Sequence, residues 1–586
     1  MIRRLFSVVN GVVLLLFGLS FLGWWGSRLP YHEVLAHLNS LTPDGNVESY
    51  TLVTHARILS NLRTLAGIAG TLGVFLFIFR KRVRVAENAP AEGRFRGFIA
   101  DLFDTWKEYR KRTSKGHAQF VVLLLIVGAV LRAILLFQPI TYDEAFTFTY
   151  YASRPFHVVV SDYSYPNNHV LHTVLAKLFT MVFGIGKVSL RMPAFLAGVA
   201  CLPLFYFFVR AMFNRYIGIM ALAMVAASGP LMEYSALARG YSLTWLFMII
   251  ALVLGRHLIK KDHTVSAILI GVSCALGMWA VPTMIYPAIM IHVWLLISLM
   301  ARYDDSLRRR LLKVLLSGVV FVACTMLFYL PVIMVHGLDQ LMHHNTQEAR
   351  DWNTFVRDHW DRALDLYAVL ADASSPWVAL LGFLGLLQAT FISSKFRALI
   401  FGLLLGCVPL VLVQAVVGPP RIWLFSLFIF HLSSAIALFY LLKLAQEKLL
   451  PKLGKRQRTA MTALVLLVVF GWPGMHLSKL GKGGMADAEW CAEYVQKVMK
   501  PTDKIYIDYP WDSPVEFHLM ALGVDRGVLY GPPPPGSTLR VAVGPDYEHT
   551  LEGVLRNHEM DPAQLPPFRS VQDRPRLKIF AAPLPK

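Results

Sequence analysis

The chain has 586 residues, 55% hydrophobic and only 16% charged, an apolar share well above that of a water-soluble domain. Uncharged runs of about 17–25 residues recur along it, the length that crosses a bilayer's hydrocarbon core, which excludes an ordinary soluble enzyme. Lys+Arg exceed Asp+Glu by 57 − 37 = 20; in a membrane protein such an excess marks the loops that stay in the cytoplasm, so no nucleic-acid partner is expected.

Residues 1–80 read as a two-helix membrane extension. Met1 to Arg4 is basic and Leu5 to Trp25 apolar, and no small-residue cleavage site follows Trp24-Trp25, so this segment reads as an anchor. A polar loop, 26–57, leads to a second span at Leu62–Phe79. Residues 81–118 form a basic linker, expected in the cytoplasm, in which Phe98 to Tyr109 has the spacing of a surface-lying amphipathic helix.

Phe120–Phe137 then crosses outward and opens into the most polar stretch of the chain, a first extracytoplasmic loop at 138–190. This loop carries Thr141-Tyr142-Asp143-Glu144-Ala145 and Tyr163-Ser164-Tyr165-Pro166-Asn167-Asn168-His169. Its apolar run 169–183 is short for a span, and His169, His172, Thr173, Lys177 and Thr180 recur on one face, which suits a helix lying in the interface. Keeping that helix outside sends Arg210, Arg215, Lys260-Lys261, Arg308-Arg309-Arg310, Lys395 and the run Lys443 to Arg458 inward, as the positive-inside rule requires.

The remaining spans fall near 193–209, 216–233, 241–259, 265–281, 283–300, 312–335, 376–393, 396–417, 421–443 and 459–475, about 13 crossings in all. The outer face then collects the acidic loop, Glu233 to Tyr241, a long loop from His336 to Pro376, Gly418 to Arg421, and everything after about residue 476. In the tail, 476–586, short helix-like and strand-like segments alternate around the Pro532 to Pro535 run, so it reads as a small α/β domain without a nucleotide-binding glycine loop. The five cysteines show neither metal-ligand spacing nor a disulfide framework, and no repeat of fixed period is evident. The expected fold is an α-helical polytopic membrane protein, its transmembrane catalytic part at 119–475, with a small extracytoplasmic C-terminal α/β domain.

Adjacent carboxylates directly after an apolar span are costly to keep near a bilayer and point to function, although Asp143 and Glu144 also fit a loop surfacing into water. The outward set is Asp143, Glu144, His169, His172, Lys177, Glu233, Arg239, Tyr241 and Arg421. The acids suit a general base toward a hydroxyl or amine, or a divalent cation held with His169. The arginines suit a phosphate, or serve as snorkelling anchors at helix ends. Nucleotide sugars do not reach the outer face, so a lipid-carried sugar is the donor this set favours.

Four motifs in order carry a family resemblance: Thr141-Tyr142-Asp143-Glu144-Ala145, Asn167-Asn168-His169-Val170-Leu171, Leu190-Arg191-Met192-Pro193-Ala194, and Tyr234 to Tyr241 ending Ala238-Arg239-Gly240-Tyr241. Over roughly residues 119–480 the chain resembles the GT-C superfamily of membrane glycosyltransferases, in the bacterial branch related to protein O-mannosyltransferases and the lipid A aminoarabinose transferase. The resemblance implies an inverting glycosyltransferase at the bacterial inner (plasma) membrane, with its active site and C-terminus extracytoplasmic. It further implies a polyprenyl-phosphate sugar donor and a lipid, glycan or protein acceptor, with membrane lipids around the bundle. By it, Asp143 is the essential acid, with Glu144 and His169 beside it as catalytic residues. Asn168, His172, Lys177, Arg239, Tyr241 and Arg421 are candidate substrate contacts. No cofactor is certain; if a divalent metal is used, Asp143 and His169 are its candidate ligands.

The departures are specific. Asn-Asn-His-Val-Leu stands where the mannosyltransferases have His-Pro-Pro-Leu, and the 238–241 loop lacks the aspartate its relatives often carry. The two N-terminal spans and the linker lie outside the pattern. Rival readings are a transporter or flippase for a lipid-linked sugar, or a non-catalytic assembly subunit. Transporters place charge near the midplane in repeated halves, whereas here charge gathers at one interface.

Overall fold

The computed structural model describes residues 8–41, 47, 50–87, 91–301, 307–342, 352–373, 376–415, 418–449, 454, 457 and 484–586. Helices dominate, as they must where the surrounding hydrocarbon offers the backbone no hydrogen-bond partner. Among the described residues, eight helices are long and apolar enough to cross a membrane: Leu52–Phe79, Lys115–Leu135, Lys187–Met212, Tyr241–Lys261, Pro282–Met300, Leu307–Gly337, Ser394–Gln414 and Pro420–Lys448. Two bent pairs pass the same test jointly, Val13–Gly26 with Tyr31–Asn39 at 95° and Arg215–Ala226 with Gly229–Ala236 at 60°. Thr264–Ala280 and Val378–Ile392 are apolar but shorter. Every expected span up to residue 443 therefore falls on a helix, and the one expected at 459–475 lies outside the described residues.

Two expected loops contain helices instead. Tyr31–Asn39 interrupts the 26–57 segment, and Trp352–Ala373 occupies much of the stretch between His336 and Pro376. The second of these spaces Trp352, Val356, Trp360 and Leu364 at about one turn, with all four exposed, a periodicity hidden by the surrounding polar residues.

Phe205, Leu222, Met248, Trp294 and Phe428 lie in the buried core of the bundle. The N-terminal helices stay peripheral, and Leu14, Trp24, Leu72 and Phe75 are exposed on them as lipid contact requires. The 60° bend after Ala226 has a local cause. Arg132, fully buried, donates to the carbonyls of Ala226 at 3.0 Å and Val225 at 3.2 Å, supplying the acceptors that end a helix with the donors they lack. Next to it Gly198 lets the chain pass close, since a Cβ there would come within 2.2 Å of Ser235 Oγ.

At the opposite end of the bundle, Ala91–Lys111 is the amphipathic helix anticipated over Phe98 to Tyr109. It buries Phe98 edge-on against His257, while Asp101 accepts from Lys261 at 3.2 Å and pairs with His263 at 2.8 Å.

The C-terminal region forms a four-stranded mixed sheet. Lys504–Ile507 (β1) runs parallel to Thr538–Val543 (β2), β2 antiparallel to Lys578–Pro583 (β4), and β4 antiparallel to Arg569–Asp573 (β3), in the order β1-β2-β4-β3. Helices Ala486–Val498 and Asp512–Ala521 cover it with Ala488, Cys491, Val495, Val515 and Leu519. Both helices also reach the polar loop: Phe517 of the second packs edge-on to Phe148 at 5.3 Å, and the N–H of Met485, just before the first, donates to Ile140 O at 2.8 Å.

Candidate functional site

The polar loop is built on one helix. Tyr142–Phe146 is α-helical and continues as a π-helical turn, Thr147–Ala152, a winding that recurs at functional sites. It presents three faces. Glu144 and Phe148 point into the core, Asp143 and Thr147 toward the neighbouring loops, and Tyr142, Phe146 and Tyr150 along a third side.

Glu144 is completely buried and its oxygens are fully engaged. Arg191 grips it bidentately, Nε to Oε1 at 2.7 Å and Nη2 to Oε2 at 2.6 Å. Ala238 N–H donates to Oε1 at 2.7 Å, and Thr141 donates to Oε2 from N at 3.0 Å and Oγ1 at 3.1 Å. Arg191 spends its other donors on the carbonyls of Leu136, Gln138 and Pro139. Burial pushes the Glu144 carboxyl up, but Arg191 and these hydrogen bonds outweigh it and hold the group below its ordinary value. One ion pair thus ties together the end of helix Lys115–Leu135, the Asp143 helix, helix Lys187–Met212 and the 238–241 loop. Glu144 is thereby closed off from solvent.

Asp143, the next residue, stays open, with its side chain 43% exposed. Its Oδ2 lies 3.9 Å from Arg239 Nη2, and its Oδ1 accepts at 3.5 Å from Asn167 Nδ2. Arg239 is nearly buried and donates to Asn167 Oδ1 at 2.8 Å and to Thr147 Oγ1 at 3.2 Å. The result is a small polar cluster of Asp143, Asn167, Thr147 and Arg239, in which the acid retains free acceptor capacity. Asn167 and Arg191 were quoted in the motifs without a role. Their signal in the sequence is an Asn doublet after Pro166 and an arginine in the second turn of a mainly apolar helix.

His169 is buried beneath this cluster. Its Nδ1 accepts from Gly240 N–H at 2.8 Å, which fixes the neutral ring with the proton on Nε2, and Nε2 faces Arg239 at 3.4 Å. Burial first, then the charges of Arg239, His172 and Arg421, push its pKa well down. A metal shared by Asp143 and His169 would meet an N–H and a guanidinium where it needs lone pairs, so this pair does not fit a cation. Among the described residues no three His, Cys, Asp or Glu side chains converge.

The other candidates separate. Asn168 is buried and staples its own loop through Val159 O and Asp162 O. His172 is buried, its pKa lowered to about 3 by burial and then Arg239, and neither ring nitrogen has a hydrogen-bond partner among the described residues. Tyr241 supports His169 edge-on at 5.3 Å. Lys177 donates to Ala152 O and lies over Phe156, joining the loop's short helices. Arg421 is exposed, makes no hydrogen bond or ion pair among the described residues, and sits close enough for its charge to be felt at His169 and Tyr234.

Helix Val170–Phe183 is about 21 Å long, too short for the core of a bilayer. Its polar side, with His172, Thr173 and Thr180, faces the protein, while Leu178, Met181, Val182 and Phe183 are exposed. That arrangement is the reverse of a water-facing amphipathic helix and is what lipid contact favours.

The bundle holds its polar loop between helices Lys115–Leu135 and Lys187–Met212, with an acid beside a buried arginine. Residues 168–329 match the family described as dolichyl-phosphate-mannose-protein mannosyltransferase, which covers His169, Arg191, Arg239 and Tyr241. In overall structure the chain is similar to ArnT from Cupriavidus metallidurans in the apo state, with a TM-score of 0.54 and 14% identity over 80% of this chain and 98% of that one. Against the same protein bound to undecaprenyl phosphate the TM-score is 0.51 and the identity 13%, with the same coverage. No curated protein matches by sequence. The motif resemblance is thereby borne out at the level of the superfamily fold, in an integral membrane protein.

Proposed function

We propose that the protein is an inverting glycosyltransferase that takes a sugar from a polyprenyl-phosphate carrier and delivers it to a hydroxyl or amine acceptor on the extracytoplasmic face. The observation that carries this reading is Asp143, half-exposed and held by Asn167 beside the buried Arg239 in a cluster that Glu144 and Arg191 lock in place. The similarity to a protein crystallised with undecaprenyl phosphate supports the donor class.

In this mechanism Asp143 takes the acceptor's proton as the acceptor attacks the anomeric carbon. The phosphate leaves from the opposite face of the sugar, carrying the bonding electron pair onto its oxygen. The two ends of that displacement stand on opposite sides of the ring. Arg239, 3.9 Å from Asp143, therefore belongs to the acceptor side, where its bond to Asn167 keeps the acid aimed. Arg421, which has no hydrogen bond or ion pair among the described residues, suits the departing phosphate. His169 and Tyr241 hold the Gly240 backbone against Arg239. Domain roles follow from the same reading: 119–475 carries out transfer, and 476–586 lies outside above the site.

Purified protein in lipid nanodiscs, given undecaprenyl-phosphate sugars and a radiolabelled glycosyl group, should release undecaprenyl phosphate in an acceptor-dependent manner. A protein that moves such lipids across the bilayer without cleaving them would be a flippase, and one that does neither an assembly subunit. Either result overturns the reading.

A further inference from the structure

The third face of the Asp143 helix is a row of rings that the transfer chemistry does not use. Tyr142, Phe146 and Tyr150 are spaced four residues apart. A four-residue step overshoots one turn of an α-helix and undershoots one turn of a π-helix, so the drift of the first step is undone by the second. The change of winding at Thr147 thus straightens the row: Tyr142 and Phe146 stack at 5.7 Å and 26°, Phe146 and Tyr150 at 5.1 Å and 11°. Tyr165 stands edge-on to both Phe146 and Tyr150, at 5.4 Å and 5.6 Å. At the other end Tyr509, from the turn after β1, stands edge-on to Tyr142 at 4.7 Å.

Three separate segments therefore contribute one continuous aromatic surface beside Asp143. Its two edge-on rings are largely in the open, Tyr509 66% exposed and Tyr165 50%. Tyr165 is also fixed: the buried Tyr151 hydroxyl donates to its carbonyl at 3.3 Å and accepts from its N–H at 3.1 Å. An interfacial aromatic belt would scatter rings around the outside of the bundle. These five touch one another in a line that ends in the sheet region.

From this surface we infer that the Tyr142–Phe146–Tyr150 row, with Tyr165 and Tyr509, is the acceptor subsite and that it binds a pyranose ring of a sugar-bearing acceptor. The inference rests on the glycosyltransferase reading above. Tyr142 and Tyr150 are stacked on Phe146, and Arg154 lies over Tyr150 at 4.5 Å, so the row backs the two exposed rings, Tyr165 and Tyr509, which offer their electron-rich surface to the slightly positive C–H side of a sugar. A hydrocarbon acceptor would be served as well by aliphatic side chains. The neighbouring acid needs an acceptor hydroxyl, which a sugar stacked on this row presents.

The test uses full-length protein in nanodiscs free of glycoside detergent. Saturation-transfer NMR is run against methyl α-mannoside, methyl β-glucoside, methyl β-galactoside and methyl β-N-acetylglucosaminide, and undecaprenyl phosphate binding is measured in parallel. At least one glycoside should receive saturation, mainly on the protons of one ring face. Tyr165→Leu and Tyr509→Leu should each cut that transfer about fivefold, the scale of one aromatic stacking contact, with undecaprenyl phosphate binding retained. Tyr165→Phe and Tyr509→Phe, which keep the ring, should preserve most of it and control for folding. No saturation of any glycoside by the wild type, or undiminished saturation in both leucine variants, overturns the proposal; the latter is the outcome expected of a lipid-docking surface. A wild type that binds sugars without cleaving the donor would refute the transferase reading and leave the sugar subsite standing.

Discussion

Replacing Glu144 by glutamine changes one atom and leaves the volume unaltered, yet the structure assigns it a large cost. Oε2 accepts from Arg191 Nη2, Thr141 N and Thr141 Oγ1, and an amide nitrogen there would face two or three donors. Arg191 is buried and would lose its countercharge, a change that costs about 3–5 kcal/mol in measured cases. Its three carbonyl partners remain, so the lower end, about 3 kcal/mol, is expected for Glu144→Gln. The assay pairs thermal unfolding of the solubilised protein with protease cleavage in the 141–168 loop and the transfer rate. All three should suffer together, because the clamp fixes where Asp143 stands. Glu144→Gln combined with Arg191→Gln removes both charges and should unfold at a higher temperature than Glu144→Gln alone. A Glu144→Gln protein with wild-type unfolding and protease resistance but no transfer would refute this account, since the carboxylate would then be acting chemically.

Arg239→Lys keeps the charge but loses the fork that holds Asn167 and Thr147, and should slow transfer by about 1–3 kcal/mol, mostly in kcat; unchanged kinetics in both Arg239→Lys and Arg239→Ala would return it to a helix-end anchor. Arg421→Ala should instead raise the donor KM, and an effect confined to kcat would remove it from the phosphate. The folded pKa of Glu144 is depressed, so the clamp's stabilisation is fully present above the ordinary carboxylate value and is lost only as pH falls through the lower folded value. Protease resistance of the loop should therefore be flat from about pH 5 to 8. Burial holds the His169 pKa well below its ordinary value, so no step near that ordinary value should appear in the rate; such a step would contradict its burial. Cysteines placed at Ser153 and Gly536 should react with a membrane-impermeant reagent from outside, and one at Arg96 should not; the reverse pattern would invert the topology.

Much of the bundle was legible because crossing a membrane leaves a strong signal: an uncharged run of fixed length, with cations at one end. Where that signal weakens, the reading failed for identifiable reasons. Trp352–Ala373 carries enough charge to look like a loop, and its one apolar stripe is visible only at helical period. The bend after Ala226 depends on Arg132 from another helix, which no local pattern announces. In the site, the order of motifs pointed to Asp143 and Arg239, and the structure brings those two together through Asn167. It does not bring in Glu144, Asn168 or Lys177, whose partners are carbonyls and an arginine distant in sequence. Polar residues near an active loop look alike in sequence; which of them face the opening is decided by tertiary hydrogen bonds.

The most direct measurement of the central claim is Asp143→Asn, assayed for transfer from undecaprenyl-phosphate sugar and for undecaprenyl phosphate binding in the same preparation. The amide fits the carboxylate's place and can still bond Asn167, but it takes no proton and carries no charge. The account predicts a loss of transfer of about 10²–10⁴-fold, the usual worth of a general base, with donor binding and thermal unfolding close to wild type. Asp143→Asn protein that transfers sugar at the wild-type rate would contradict it.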